Sequence, residues 1–283
     1  MKKYIFLLPL YNDWESLIIL LDKINKEIKD KNKTADILVV NDCSSIKSPI
    51  FLKYSNINKI NILNLKKNLG SQKAISIGLK YLKEKKREMI ITILDSDGED
   101  DVSKITTMIS EAEKYNQKVI VSTRTKRREN FFFKILYFFH KLITFIFTFK
   151  WISFGNFSSF HSTQLNNILS NSSSWLAFSS SVAKNCKIGK IDAERKKRLI
   201  GVSKLSYLNL VFHSLRVSAV FAFRSILLSS LYIFILLNLF SAGYQLSLYF
   251  IIFITLFNIL LFVTLFFNNS KNFFNSLNYI EKK

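Results

Sequence analysis

The chain has 283 residues, room for one domain of ordinary to large size plus a smaller appendage. Its formal net charge of +21 points to a polyanion, a membrane surface or an anionic substrate as partner; no helix-turn-helix, zinc-finger or RNA-binding aromatic motif accompanies it, so nucleic acid gives way to anionic lipid. Cys43 and Cys186 are the only cysteines, too few and too isolated for a disulfide framework or a thiolate metal site, as suits a reducing cytosolic face.

In chain order, Lys2-Lys3 and the apolar Tyr4–Leu8 have the outline of a signal peptide. The stretch ends at Pro9 and runs into Asn12, Asp13 and Glu15 without a small-residue cleavage site, so a first strand is the better reading. A helix is expected over Trp14–Lys29, strands over Asp36–Val40 and Asn61–Leu65, a helix over Ser71–Lys83, a strand over Met89–Leu94, a helix over Val102–Tyr115 and a strand over Val119–Ser122. Such alternation predicts an α/β fold with a mostly parallel sheet flanked by helices. Ile90, Ile91, Ile93 and Leu94 form a continuous apolar run, the pattern of a central strand covered on both faces. The tracts Ser170–Ser174 and Ser179–Ser181 read as loop punctuation and as a candidate active-site rim.

Asp95-Ser96-Asp97 ends that apolar run. Two carboxylates one residue apart at the mouth of a buried strand are hard donors suited to a divalent cation bridging phosphates, which reads as a nucleotide-sugar site. A helix-capping acidic turn is the plainer alternative. An EF-hand fails, because the sixth position from Asp95 is Asp100 instead of Gly and the twelfth is Thr106 instead of Glu.

The segment Lys126–Lys141 mixes Lys and Arg with Phe, as an interfacial helix over about 127–150 would; plain core aromatics are the alternative. From about Leu215 to Phe267 charge nearly vanishes apart from Arg216 and Arg224. Two apolar segments, about 219–240 and 246–267, approach the ~20 residues a bilayer span needs, with Arg224 snorkelling toward the headgroups. They predict a transmembrane hairpin, the alternative being two buried core helices. Lys271, Lys282 and Lys283 follow it, many cations precede it and the turn between has none, which puts both ends in the cytoplasm. The expected division is 1–216 as a cytoplasmic domain and 217–283 as anchor and basic tail.

Several short elements then fall in order: Leu8-Pro9-Leu10-Tyr11-Asn12-Asp13, Val39-Val40-Asn41-Asp42-Cys43-Ser44-Ser45, Asn68-Leu69-Gly70-Ser71-Gln72-Lys73-Ala74 and Asp95-Ser96-Asp97-Gly98-Glu99-Asp100-Asp101. The ensemble resembles glycosyltransferase family 2 with the GT-A fold. Arg198-Leu199-Ile200-Gly201-Val202-Ser203-Lys204 followed by apolar segments is similar to the polyprenyl-phosphate glycosyltransferase branch, the relatives of dolichol-phosphate mannose synthase and bactoprenol glucosyltransferases.

The resemblance implies a nucleotide pocket with Pro9, Tyr11, Asp13, Asp42, Lys73 and Asp95, in which Asp42 matches a carboxylate that bonds the base. It implies Mg²⁺ or Mn²⁺ at Asp95 and Asp97, with Glu99 as an optional further ligand. Asp97, Arg124, Arg198 and Lys204 would carry catalysis, and Arg124, Arg198, Ser203 and Lys204 would hold an acceptor phosphate. Two positions depart from the family pattern. Asn41 replaces the first Asp of an Asp-Asp pair, and Gly155-Asn156-Phe157 stands where lipid-phosphate relatives have Gly-Asp-Phe.

A phosphate monoester, with a second pKa of ~6, is already largely a dianion and needs no base, whereas a sugar hydroxyl does. Asn156 therefore suits a lipid-phosphate acceptor, although Asp192 or Glu194 could serve a hydroxyl. The expected function is inverting, metal-dependent transfer from a nucleotide-diphosphate sugar to a polyprenyl phosphate at the cytoplasmic membrane face. The alternatives are transfer to a lipid-linked glycan or another hydroxyl, and a catalytically silent membrane scaffold of the same fold. The sugar, the base and the oligomeric state stay open.

Overall fold

The computed structural model describes residues 3–29, 33–124, 131–201, 207–268 and 270–281, without the side chains of residues 124, 131–134, 136, 137, 140 and 207–210. The chain divides into two compact units, Met1–Glu129 with Ser153–Lys204 and Phe273–Lys283, and Asn130–Ile152 with Leu205–Asn272.

The first unit is built on β1 (Lys3–Leu10), α1 (Trp14–Lys29), β2 (Ala35–Asn41), β3 (Ile57–Asn64), α2 (Ser71–Glu84), β4 (Met89–Ile93), α3 (Ile105–Lys114) and β5 (Lys118–Arg124). After α4 (Phe131–Thr148), which belongs to the second unit, it continues with β6 (Phe154–His161), α5 (Leu165–Ile168), α6 (Ser173–Leu176), α7 (Phe178–Asn185) and β7 (Lys187–Ala193). The sheet order is β3-β2-β1-β4-β6-β5-β7. The β1–β2, β2–β3, β1–β4 and β5–β7 pairs are parallel, and β6 runs antiparallel between β4 and β5.

Side-chain alternation on β1 shows why both faces are covered. Phe6, Leu8 and Leu10 pack into one cluster with Leu17, Leu21 and Ile24 of α1 and with Ile105, Met108, Ile109 and Ala112 of α3. Those helix positions recur at three and four residues, one stripe per helix. Leu7 points to the other face, where α2 lies so close that a methyl at Gly78 would sit 2.7 Å from Leu7 Cδ1 and 2.9 Å from Val40 Cγ2.

The strand β6 carries buried Ser158 and Ser159 into the sheet, and Ser159 Oγ meets Thr92 Oγ1 at 2.8 Å. That pairing satisfies two hydroxyls that would otherwise be costly to bury. The serine tracts expected as loops are largely helical instead. Ser173 and Ser174 fall in α6 and Ser179, Ser180 and Ser181 in α7, all five buried, because Trp175, Leu176, Phe178 and Val182 between them anchor the segment in the core.

Residues 273–281 meet the carboxyl end of the edge strand β3 and pack against α2. Glu281 N donates to Asn64 O at 2.9 Å, Lys66 N to Tyr279 O at 2.9 Å, and Leu65 bridges Ile280 antiparallel. Lys80 Nζ holds the carbonyls of Phe273 and Phe274 at 2.7 and 2.8 Å, while Trp175 stacks on Tyr279 and meets Phe273 edge-on. An exposed strand edge invites aggregation, and burying one Phe is worth ~1.5–3 kcal/mol. Deleting residues 273–283 is therefore expected to lower the melting temperature of the purified protein by about 5 °C or more and to promote self-association, read by thermal unfolding and light scattering.

The two cysteines differ in environment. Burial pushes the Cys186 thiol up to about 12, whereas Cys43 is exposed. Since the thiolate is the reactive form, iodoacetamide near pH 8 should label Cys43 and spare Cys186 in the folded protein, as read by peptide mass spectrometry.

In the second unit α4 is joined by α8 (Tyr207–Ala219), α9 (Ala222–Ser241), α10 (Leu246–Phe267) and the start of α11 (Ser270–Phe274). The helices α9 and α10 are long and apolar enough to cross a membrane. Phe234, Leu237, Tyr249, Phe250, Phe262 and Phe266 along them are exposed, so they are not the buried core helices of the alternative reading. Ser229 Oγ donates to Asn258 Oδ1 at 3.1 Å between the two, a polar contact of the kind that joins helices in lipid. Phe147 stacks on Phe257 with ring centroids 4.2 Å apart. Arg224, expected to snorkel toward headgroups, donates from Nη1 to the Thr148 carbonyl at 3.2 Å, serving the open C-terminal end of α4.

Candidate functional site

Parallel pairing brings three strand ends to one edge. Pro9 pairs with Val40, Leu10 with Asn41 and Leu7 with Ile93, so the residues after β1, β2 and β4 open onto the same crevice at their carboxyl ends. Ligands of open α/β sheets gather at such an edge. A cavity of about 300 Å³ lies there, lined by Pro9, Tyr11, Asp13, Asp42, Asp95, Asp97 and Arg198, with Leu10, Ser71 and Ser96. The first seven are residues the sequence singles out; the other three carry no motif signal of their own.

Each wall has a local cause. Asn12, at a positive φ of 56°, turns the chain after β1 and is tied to the turn after β2: its N–H donates to Ser44 Oγ at 2.9 Å and its Oδ1 accepts from Ile46 N at 3.2 Å. Asn41 donates to Asn64 Oδ1 at 2.9 Å and accepts from Ser44 N at 3.1 Å. It braces the ends of β2 and β3, and a carboxylate there could accept the second bond but not donate the first.

Asp42 is buried and accepts from Leu69 N on Oδ1 at 2.8 Å and from Gly70 N on Oδ2 at 2.7 Å. Burial pushes its carboxyl above the usual range, opposed by those two N–H groups and by the charge of Lys73. Asp42 thus shapes the entry to α2 as well as lining the cavity. Lys73 does not line it; its Nζ lies 5.3 Å from the Trp175 ring centroid.

The loop after β4 folds on itself, Asp95 N donating to Asp100 Oδ2 at 3.0 Å and Glu99 N to Asp97 Oδ1 at 3.1 Å. A strap over residues 195–201 lies against it. Lys196 N donates to Glu99 O at 2.8 Å, Leu199 N to Asp97 O at 3.1 Å, and Arg195 Nε to Glu99 Oε2 at 2.7 Å. Glu99 is therefore committed to Arg195 and does not line the cavity with Asp95 and Asp97.

Arg198 donates from Nη2 to Asp13 Oδ1 at 2.5 Å and from Nη1 to Asp97 Oδ2 at 3.4 Å. Its burial opposes the charge but is outweighed by the bond from Asp13 and the fields of Asp13, Asp97 and Glu99, so its pKa lies above the ordinary value. This cation spans two carboxylates from different strand ends and closes one side of the cavity.

Gly98 has a φ of +74°, and a methyl on it would stand 2.3 Å from Leu199 Cδ1. Gly98→Ala carries a left-handed cost of ~1–2 kcal/mol and displaces the strap. We expect faster tryptic cleavage after Arg195, Lys196 and Lys197 and at least a ~10-fold loss of turnover.

The remaining sequence candidates are placed as follows. Arg124 closes β5 opposite Ala193, with its side chain outside the described residues, where Ser203 and Lys204 also lie. Asp192 Oδ1 accepts from Thr123 Oγ1 at 2.5 Å, and Glu194 lines a separate small cavity with Asp100 and Asp101. Asn156, on β6, donates from Nδ2 to Asp95 Oδ1 at 2.9 Å and accepts from Gln72 Nε2 at 3.1 Å. Gln72 has no role assigned from the sequence; its place inside the Asn68–Ala74 element that opens α2 is the available signal.

Among the described residues no group of three or more His, Cys, Asp or Glu side chains gathers as a metal cage. Asp95 and Asp97 nonetheless line one cavity as a pair of hard oxygen donors, a set that fits Mg²⁺ or Mn²⁺ completed by phosphate oxygens and water.

A sequence model of the family described as glycosyl transferase family 2 matches residues 6–185. Comparison with curated protein sequences gave no match. Among solved structures, glucosyl-3-phosphoglycerate synthase from Mycobacterium tuberculosis, solved with phosphoglyceric acid, is similar at 10% identity and a TM-score of 0.51, over 79% of this chain and 80% of that one. The S. aureus TarS fragment 1-349 with UDP-GlcNAc is similar at 17% identity and a TM-score of 0.48, over 78% and 66%. Another structure of the TarS fragment 1-349 is similar at 16% identity and a TM-score of 0.43, over 68% of this chain and 60% of that one. The shared architecture is the GT-A-like one, a mostly parallel seven-stranded sheet flanked by helices.

Proposed function

The chain belongs to glycosyl transferase family 2, and we propose that it is an inverting, divalent-cation-dependent enzyme moving a sugar from a nucleoside diphosphate sugar to a polyprenyl phosphate at the cytoplasmic leaflet. The observation that carries this reading is the single cavity in which Asp95 and Asp97 face Arg198, beside Pro9, Tyr11, Asp13 and Asp42. Acid pairs and cations within one crevice suit a diphosphate leaving group and an anionic acceptor. The apolar pair α9 and α10 supports a lipid acceptor, because it would keep the enzyme in the phase that holds one, and Lys271, Lys282 and Lys283 with the cations before α9 favour cytoplasmic ends.

Asp95 and Asp97 would hold Mg²⁺ or Mn²⁺, which supplies neutralisation of charge developing on the leaving diphosphate. The residues of this chain do the rest. Pro9, Tyr11, Asp13 and Asp42 bound the nucleotide. Arg198, with Arg124, Ser203 and Lys204 as further candidates, positions the acceptor phosphate in line with the sugar. An acceptor oxygen forms the new bond to the anomeric carbon, and the bond to the diphosphate oxygen breaks with its electron pair leaving on the nucleoside diphosphate. Attack from the far side inverts the anomeric centre. A phosphate dianion needs no proton removed, and the group beside Asp95 is the Asn156 amide, which cannot act as a base.

A panel of nucleoside diphosphate sugars, with and without Mg²⁺ or Mn²⁺, tests the donor half through thermal stabilisation of the purified protein. One donor should stabilise it by ~2.7 kcal/mol at a hundredfold excess over Kd, and only with the cation. Stabilisation indifferent to the cation would remove the metal from the account.

A further inference from the structure

The acidic pair is supported by a one-way chain of hydrogen bonds. Phe178 N, at the start of α7, donates to Gln72 Oε1 at 2.6 Å. Gln72 Nε2 donates to Asn156 Oδ1 at 3.1 Å, and Asn156 Nδ2 donates to Asp95 Oδ1 at 2.9 Å. Side-chain amides can usually be turned either way, but here both ends fix the direction: a backbone N–H only donates and an ionised carboxylate only accepts. The polarity of both amides follows. Three elements, α7, α2 and β6, are thus linked in series to one oxygen of Asp95, beyond the end of β4.

We propose that Gln72 and Asn156 are positioning residues whose directed amide relay fixes Asp95 for the cation that carries the donor diphosphate. The inference rests on the metal reading above and goes beyond it by assigning Gln72 and Asn156 a part in holding Asp95. It also gives the Asp-to-Asn difference at position 156 a physical content. An ionised Asp there would aim a second carboxylate at Asp95 and could donate nothing, whereas Asn presents a donor to Asp95 and an acceptor to Gln72 together. Partners of metal-ligating carboxylates typically matter by ~10–100-fold in metal affinity.

The discriminating variant is Gln72→Glu. It is nearly isosteric and keeps an acceptor for Phe178 N, so the fold contact survives. Its second oxygen, however, also accepts, and it competes with Asp95 for the amide hydrogens of Asn156. Binding of Mn²⁺ alone to the full-length detergent-solubilised protein, followed by the loss of the free-ion paramagnetic resonance signal, reads the relay without reference to turnover. Gln72→Glu and Asn156→Ala are each expected to weaken Mn²⁺ at least about 10-fold with thermal unfolding shifted by no more than a few degrees, and Asp97→Ala to abolish it.

Mn²⁺ affinity in Gln72→Glu and Asn156→Ala equal to that of the unaltered protein, alongside loss in Asp97→Ala, would overturn the relay and leave the metal reading standing. Equal binding by the unaltered protein and Asp97→Ala, or none by either, would overturn the metal reading and the relay with it.

Discussion

Replacing Asp97 by Ala is expected to lower sugar transfer by at least about 100- to 1,000-fold, the scale of removing one preorganised group that meets charge developing in the transition state. The side chain has two engagements. Its Oδ1 accepts from Glu99 N and its Oδ2 from Arg198 Nη1, so the substitution removes the proposed cation ligand and also frees one arm of Arg198. Asp97→Asn removes both at nearly constant volume, since its NH2 group would face the Arg198 donor. The amide keeps one acceptor for Glu99 N but lacks the charge, and it should be nearly as inactive as Ala if the cation is what matters. Equal yields of both variants and the unaltered protein after purification would show that the fold is intact. Near-normal transfer by Asp97→Ala would end the metal assignment.

The second large effect belongs to Arg198. Its guanidinium spans Asp13 and Asp97, with the side chain 12% exposed. Removing one member of a largely buried ion pair costs ~3–5 kcal/mol, mostly because the partner charge is left uncompensated. Arg198→Ala should therefore reduce transfer by at least about 100-fold and loosen the strap, whose Leu199 N–H holds the Asp97 carbonyl. Arg198→Lys should recover little, since an ammonium on a flexible stem cannot reproduce a planar fork between two carboxylates. A steady-state comparison gives the result: a fall in kcat for Arg198→Lys with the donor KM little changed places the arginine's contribution in the transition state.

Much of this site is legible in the sequence because strand ends are. Continuous apolar runs such as Ile90–Leu94 mark a doubly covered strand, and whatever follows such a strand in a parallel sheet faces the ligand edge, which suffices to bring Asp13, Asp42, Asp95 and Asp97 together. The elements that pattern reading leaves out lack a period. The strand β6 buries Ser158 and Ser159; the Ser158 hydroxyl donates to the Asn156 carbonyl, and that of Ser159 is satisfied by Thr92 across the sheet, a fact of three-dimensional pairing. The strand β7 reads Lys-Ile-Gly-Lys-Ile-Asp-Ala, with its two Ile three positions apart and on opposite faces, so no apolar face announces it. The serine tracts look like loops by composition, while Trp175, Phe178 and Val182 decide their burial.

The finer site geometry is hidden for a different reason. The partners of Asp95 come from residues 72 and 156 and through them from 178, and no local spacing records hydrogen bonds across 61, 84 and 106 positions. Glu99, adjacent to the acidic pair in sequence, is turned away by Arg195. Sequence proximity records neither that ion pair nor the contact of Gln72 with Asn156.

The most direct test of the central claim uses the purified protein in vesicles that contain undecaprenyl phosphate, supplied with labelled nucleoside diphosphate sugars and Mg²⁺ or Mn²⁺. The account predicts label in a lipid that forms only when the lipid phosphate is present and that releases its sugar in mild acid, as a sugar phosphodiester does. A labelled product that resists mild acid, or that forms equally well without the lipid phosphate, would contradict it and point to a hydroxyl acceptor.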